Sequence, residues 1–158
     1  MSLELRSREE LAAELGLRRS RGKLRVVLAN GCFDVLHVGH VRYLEEAKAR
    51  GDVLVVALNT DRSVHVNKGP GRPLIALEER AELVGALRAV DYVTSFDEET
   101  LEATLRCLRP DVHAKGSDYT AENVPEAAID RELGIEIAIC GDPKDHSSTE
   151  MIRRGARP

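Results

Sequence analysis

The sequence predicts an α/β fold: a doubly wound sheet of about five mainly parallel strands, with helices on both faces. Short apolar, β-branched runs recur along the chain and alternate with amphipathic stretches at helical period. The clearest of these runs, LRVVLAN and DVLVVALN, is each continuously apolar rather than alternating, the pattern of a strand covered on both faces. Capping signals mark several of the helix starts.

The elements follow in order. The first helix is read over Arg8 to Leu17, where Ser7 and Glu10 have capping-box spacing. It lies in segment 1–22, read as a helical extension to a core spanning 24–154 within a single domain, 1–158. LRVVLAN (24–30) is the first strand. Val41 to Arg50 is a helix closed by Gly51 in the C-cap position. DVLVVALN (52–59) is the second strand, and 60–76 reads as a long loop because glycine and proline crowd into NKGPGRP. Leu77 to Arg88 is a helix with Leu77, Ala81, Val84 and Leu87 at near-helical spacing. DYVTS (91–95) is the third strand, after which Ser95 and Glu98 would cap a helix running to Leu108. DVHA (111–114) is the fourth strand, a weaker helix lies near 123–133, and IEIAIC (135–140) is the fifth strand. Ser147 and Glu150 cap a last helix with Arg153 and Arg154 in its final turn, the sign the helix dipole favours there. The whole is a Rossmann-like arrangement.

Composition narrows the function. A chain of 158 residues suits one domain and buries about 70% of its unfolded surface without needing disulfides or zinc. Cys32, Cys107 and Cys140 form no CxxC pair, which argues against a zinc site and fits a reducing, cytoplasmic compartment. The net charge of −4 gives no whole-surface attraction to nucleic acid or anionic membrane, so an anionic ligand needs a local cluster of donors. No apolar run reaches the roughly 18 residues of a membrane span, and the start MSLELRSREE lacks a signal-peptide core. With three tyrosines, two phenylalanines and no tryptophan, a stacking platform for single strands is not expected.

In such a sheet, ligands bind beyond the carboxyl ends of the strands. Residues 30–40, NGCFDVLHVGH, leave the first strand there and enter a helix. Gly31 permits a tight turn, and Gly39 at a helix N-terminus lets a phosphate approach the backbone N–H groups. His37 and His40, three apart, face one way. Two imidazoles so placed can donate hydrogen bonds to phosphate oxygens and oppose charge building at phosphorus. Spacing alone fits two ordinary surface histidines equally well. A zinc site lacks a third ligand, so no protein metal site is expected.

The stretch GCFDVLHVGH resembles the signature of the HxGH nucleotidyltransferase superfamily, which contains cytidylyltransferases and adenylyltransferases. ALNTD (57–61), NKGPGRP (67–73), LEERAELVGALRAVDYV (77–93), LRPDVHAKGSDY (108–119) and SSTEMI (147–152) occur in the order found in the heptose 1-phosphate adenylyltransferases of the ADP-heptose pathway. Together they cover roughly residues 24–154. KGSDY and SST stand where that family typically has KGGDY and STT, and GDPKDH (141–146) before them is charged.

The resemblance implies that His37 and His40 contact the nucleotide phosphates and stabilise the transition state, with Lys68 over the triphosphate. It places Gly31, Cys32, Phe33, Asp34, Gly39, Asn59, Asp61 and Arg72 in the nucleotide site. Arg80, Lys115, Gly116, Asp118, Ser147, Ser148 and Thr149 join them there. Arg80 also fits a helix-surface ion pair with Glu78 or a neighbour, GSDY also fits a plain turn, and Ser147 to Thr149 also fit ordinary N-caps. Asp34 is a candidate Mg²⁺ ligand or a group that satisfies backbone N–H donors. Cys32 reads as a small packed residue, not a nucleophile.

The implied reaction is transfer of AMP from ATP to a sugar 1-phosphate, a heptose 1-phosphate above all, with release of pyrophosphate and with Mg²⁺ held mainly by the phosphates. The alternatives are a cytidylyltransferase for glycerol 3-phosphate or another polyol phosphate, ATP with a flavin or pantetheine phosphate, and a nucleotide-binding module without turnover. The same resemblance implies a homodimer.

Overall fold

The computed structural model describes residues 3–143 and 147–155. Five parallel strands form one sheet in the order β3-β2-β1-β4-β5: β1 (Val26–Gly31), β2 (Val53–Asn59), β3 (Tyr92–Phe96), β4 (Val112–Gly116) and β5 (Glu136–Cys140). The helices are α1 (Arg8–Ser20), α2 (Val38–Lys48), α3 (Asp61–Lys68), α4 (Leu77–Gly85), α5 (Glu102–Leu108), α6 (Ala127–Leu133) and α7 (Ser148–Gly155).

Alternate residues of the central strands feed two core layers. Val27, Ala29, Leu54, Val56 and Leu58 point to the layer closed by Leu44 and Ala47 of α2 and by Ala81 and Val84 of α4. Val26, Leu28, Val53, Val55 and Ala57 point the other way, onto α1, α5 and α6. Both layers are apolar and buried, which is why the β1 and β2 runs read as continuously apolar. Within segment 1–22, α1 spans Arg8–Ser20 and seats Leu11 and Leu15 in the second layer at 0% exposure. Its capping box between Ser7 and Glu10 is present.

Several sequence expectations need correction. Residues 61–68, read as loop, form α3: Thr60 caps it by accepting the Ser63 N–H, and the glycine-proline cluster begins only after the helix ends. Ser95 and Glu98 do not open a helix. Ser95 is held in β3 opposite Leu58, and the Glu98 carboxylate binds the Arg8 guanidinium at 2.7 Å, so α5 starts at Glu102. Helix α2 starts three residues earlier than read, at Val38, and ends before Gly51. Gly51 answers a different need: a Cβ there would lie 2.7 Å from the Arg25 carbonyl oxygen. Helix α4 stops at Gly85 and α6 starts only at Ala127.

The topology positions the site. From β1 the chain builds outward through β2 and β3, then returns to add β4 and β5 on the other side. The strand order reverses beside β1, and connections leaving the carboxyl ends on its two sides part there to open a crevice.

Candidate active site

That crevice is a cavity of about 440 Å³, within the range of small-molecule sites. It is lined from the carboxyl ends of β1, β2, β4 and β5 and from the loops that follow β3 and β4. Its base is the turn after β1. Gly31 is required because the Phe33 ring folds back over it; a Cβ would stand 2.9 Å from Phe33 Cε2. Phe33 itself takes a left-handed backbone, φ 48°, and buries its ring in the core.

The turn delivers His37 to the N-cap of α2 and His40 to its third residue. His37 Nδ1 accepts the Gly39 N–H at 3.1 Å, and His40 Nδ1 accepts the His37 N–H at 3.3 Å. This is a capping box built from two imidazoles. A ring nitrogen that accepts carries no hydrogen, so each neutral ring has its hydrogen on Nε2. The rings stack with centroids 3.9 Å apart, and Phe33 packs on His40 at 4.9 Å. Both side chains line the cavity, beside the positive end of the α2 dipole.

Asp34 lies beneath, 1% exposed. Its carboxylate accepts the Leu74 and Ile75 N–H groups at 2.9 and 3.0 Å and the Arg72 Nε–H at 2.7 Å. Burial pushes its pKa up, but these backbone bonds and the guanidinium outweigh it and hold the carboxyl below its ordinary value. Of the two roles open to Asp34, the structure shows the satisfaction of backbone donors. With both oxygens engaged it does not fit a cation cage, and no group of three metal-ligating side chains occurs among the described residues. Because the folded pKa lies below the unfolded 3.8, Asp34 stabilises the fold above that pH and ceases to do so as pH falls through the folded value. Urea unfolding below pH 4 should therefore show a shallower loss of stability with acid in Asp34→Asn than in the parent.

Arg72 bridges Asp34 and the hydroxyl of Thr149, which it reaches at 3.3 Å. Ser148 Oγ donates to the Val35 carbonyl at 2.8 Å, and Ser147 Oγ accepts the Glu150 N–H at 3.3 Å. The Ser-Ser-Thr run thus caps α7 and docks its N-terminus on the β1–α2 turn, so the capping role and a place on the cavity wall coexist. Lys68, the exposed last residue of α3, lines the same wall.

Cys32 packs at the cavity edge as a neutral thiol donor. Burial pushes its thiol pKa up, against the opposing fields of Lys68, Arg80 and Arg72, and the thiol donates to Asn59 Oδ1 at 3.6 Å. Asn59 in turn donates to Ser63 Oγ at 2.9 Å. On the β4 side, Lys115, Gly116 and Asp118 line the cavity as expected. Burial lowers the Lys115 pKa, against the carboxylates of Glu126, Asp118 and Asp130, and its ammonium sits 4.4 Å over the Tyr119 ring.

Two expected site residues stand elsewhere. Arg80 is 0% exposed and does not line the cavity. Its guanidinium donates to the carbonyls of Ile75, Cys32 and Asn59 at 2.7 to 2.9 Å, and pairs with Asp61 at 2.7 Å. It braces the carboxyl ends of β1 and β2 from behind. The ion pair with Glu78 does not form; Asp61 is the partner, and it too lies outside the cavity lining.

Other lining residues went unread. Asn30, next to last in β1, meets the ring of His113, whose other nitrogen faces Asp130 at 2.8 Å in a fully buried pair. Tyr43 donates to the Ala114 carbonyl at 2.6 Å. Phe96, Thr100 and Glu126 close the β3 side. Position at a strand's carboxyl end would have found Asn30 and Phe96; nothing in the sequence marks Glu126.

Comparison with known proteins agrees with this geometry. The family model described as "Cytidylyltransferase-like" matches residues 28–154. The "Bifunctional protein HldE" of Syntrophotalea carbinolica is 45% identical over 151 residues, which is 96% of this chain and 31% of that protein. The protein of the same name from Methylobacillus flagellatus is 45% identical over 92% of this chain and 30% of its own length. The chain thus spans about a third of these relatives. Among solved structures, the lipopolysaccharide core biosynthesis protein from Thermoplasma volcanium GSS1 aligns over 77% of this chain and 100% of its own, with TM-score 0.66 and 28% identity. Sequence match and sheet-edge cavity coincide, and the chain belongs to the cytidylyltransferase-like family as a nucleotidyltransferase.

Proposed function

We propose that this chain transfers AMP from ATP to a sugar 1-phosphate, a heptose 1-phosphate in particular, and releases pyrophosphate. The observation that carries the reading is the stacked His37–His40 pair, each ring oriented by a backbone N–H and set on the wall of a sheet-edge cavity. The relatives named HldE and the order of the sequence motifs support the acceptor. Residues 24–154 act as one catalytic unit.

In this reading an oxygen of the acceptor phosphate attacks the α-phosphorus in line. The new O–P bond forms as the bond to the β-phosphate oxygen breaks, and the electron pair leaves with pyrophosphate. A phosphate monoester is largely dianionic above about pH 6, so no protein base is required. The imidazole Nε2–H groups and the α2 N-terminus offset charge on the oxygens around phosphorus. Lys68 meets the leaving pyrophosphate, and Lys115, Gly116, Asp118 and the Ser147–Thr149 run hold the nucleotide. Arg80 and Asp61 act at one remove, by fixing the strand ends. Mg²⁺ would be held mainly by the triphosphate oxygens, since Asp34 is already engaged, and would offset phosphate charge there. A homodimer in the cytoplasm completes the reading.

Pyrophosphate release measured with ATP, CTP, GTP and UTP, each against heptose 1-phosphate, mannose 1-phosphate and glycerol 3-phosphate, tests the proposal. ATP with heptose 1-phosphate should be fastest. CTP with glycerol 3-phosphate in that place would replace it by the cytidylyltransferase reading. Lys68→Ala should weaken ATP binding about tenfold while leaving AMP nearly unchanged, since a charge-assisted bond to the outer phosphates is lost. Equal losses for ATP and AMP would remove Lys68 from that position.

A further inference from the structure

The cavity contains a buried carboxyl oxygen that has no hydrogen-bond partner among the described residues. Glu126 is 7% exposed and lines the cavity. Its Oε1 accepts the Leu101 N–H at 3.2 Å. Its Oε2 is buried and has no hydrogen-bond partner among the described residues. Leaving such an oxygen unpaired is costly, and sites that tolerate this are those a ligand completes.

Position identifies the ligand's chemistry. The bond to Leu101 pins the carboxyl at the β3–α5 connection, although Glu126 itself follows β4. The phosphate-facing groups stand elsewhere, at the turn after β1, the end of α3 and the start of α7. Lys115 and Gly116, nucleotide-side candidates, end β4, and Asp118 follows two residues later. The part of the cavity between Phe96, Thr100, Leu101, Pro125 and Glu126 remains for the other substrate. An unpaired carboxyl oxygen there suits a neutral donor, such as a hydroxyl, and opposes a second anion.

We infer that Glu126 is a specificity-determining residue that takes hydroxyl groups of a polyhydroxylated acceptor. The inference rests on the adenylyl-transfer reading and deepens it. Ribose hydroxyls offer the same chemistry, so the test must separate the two sources.

Glu126→Gln is the informative variant. Its Oε1 still accepts the Leu101 N–H, while the unpaired oxygen becomes an NH₂ donor. Calorimetric affinities for ADP and for ADP-heptose isolate the sugar's share without needing turnover. The parent should bind ADP-heptose about tenfold or more tighter than ADP, and Glu126→Gln should cut that ratio to about twofold with ADP affinity unchanged. The thermal midpoint of the variant should be no lower than the parent's, because the lost oxygen had no partner. An unchanged ratio, or a lowered midpoint with both affinities reduced together, overturns the inference in favour of a structural Glu126. A loss of ADP affinity equal to that of ADP-heptose, with the midpoint held, assigns the residue to ribose and overturns it as well. A parent that binds ADP-heptose no better than ADP also overturns it. Failure of the adenylyl-transfer reading appears separately, as a parent that releases no pyrophosphate from ATP with any sugar phosphate.

Discussion

Turnover of His40→Ala should fall by a factor on the order of 10² or more while the KM for ATP shifts only a few-fold, as for a donor whose bond strengthens in the transition state. The geometry explains why this imidazole is worth so much. The His37 N–H fixes its Nδ1, the Phe33 and His37 rings pack against it, and its Nε2–H can donate to phosphate oxygens in the proposed reading. A donor held in this way needs no reorganisation when charge builds at phosphorus. In the proposed reading, ground-state affinity for the triphosphate rests also on Lys68 and on the N-termini of α2 and α7, so it should survive the change. His37→Ala removes the acceptor for the Gly39 N–H and weakens the start of α2, a capping loss of about 1 kcal/mol added to any kinetic loss. Steady-state kinetics of both variants, with urea midpoints alongside, check the assignment. Parent-like turnover in His40→Ala would remove that ring from the chemistry.

Much of this was legible in the sequence, and the misses have physical causes. β1 and β2 could be read because strands covered on both faces must be apolar throughout, and Val53 to Asn59 is buried at every position. α3 escaped because it presents little apolar stripe; of DRSVHVNK only Ser63 and Val64 are buried. The pairing of Ser95 with Glu98 satisfied a local spacing rule, but the ladder to Leu58 claimed Ser95 first. The two histidines could be placed together from their spacing, yet their mutual capping could not, since it depends on His37 standing outside the helix in extended backbone. Glu126 was invisible because its significance lies in a bond to Leu101, 25 residues away, and in a buried oxygen with no hydrogen-bond partner among the described residues. Arg80 was misplaced for a related reason. An arginine in a first helical turn reads as a surface group or an anion ligand, and only the fold shows two strand-end carbonyls and that of Ile75 converging on it.

Arg80 sets the largest expected effect on stability. Its guanidinium is fully buried and gives hydrogen bonds to three carbonyls and a carboxylate, so Arg80→Ala leaves those carbonyls unpaired around a void. The loss should be about 3–5 kcal/mol, a large share of the roughly 5–15 kcal/mol that holds a domain of this size together. A fall in thermal midpoint on the order of 10 °C follows. Arg80→Lys should recover little, because one ammonium cannot span the fork that reaches Ile75, Cys32, Asn59 and Asp61 together. The kinetic consequence is indirect: Cys32 and Asn59 flank the cavity, and release of their carbonyls loosens the turn that aims both histidines. Reduced turnover should therefore accompany reduced stability, and cooling should restore part of the activity as the folded population recovers. A variant that keeps parent stability but loses ATP affinity would instead put the guanidinium in contact with the nucleotide, and would require the α4 start to open toward the cavity.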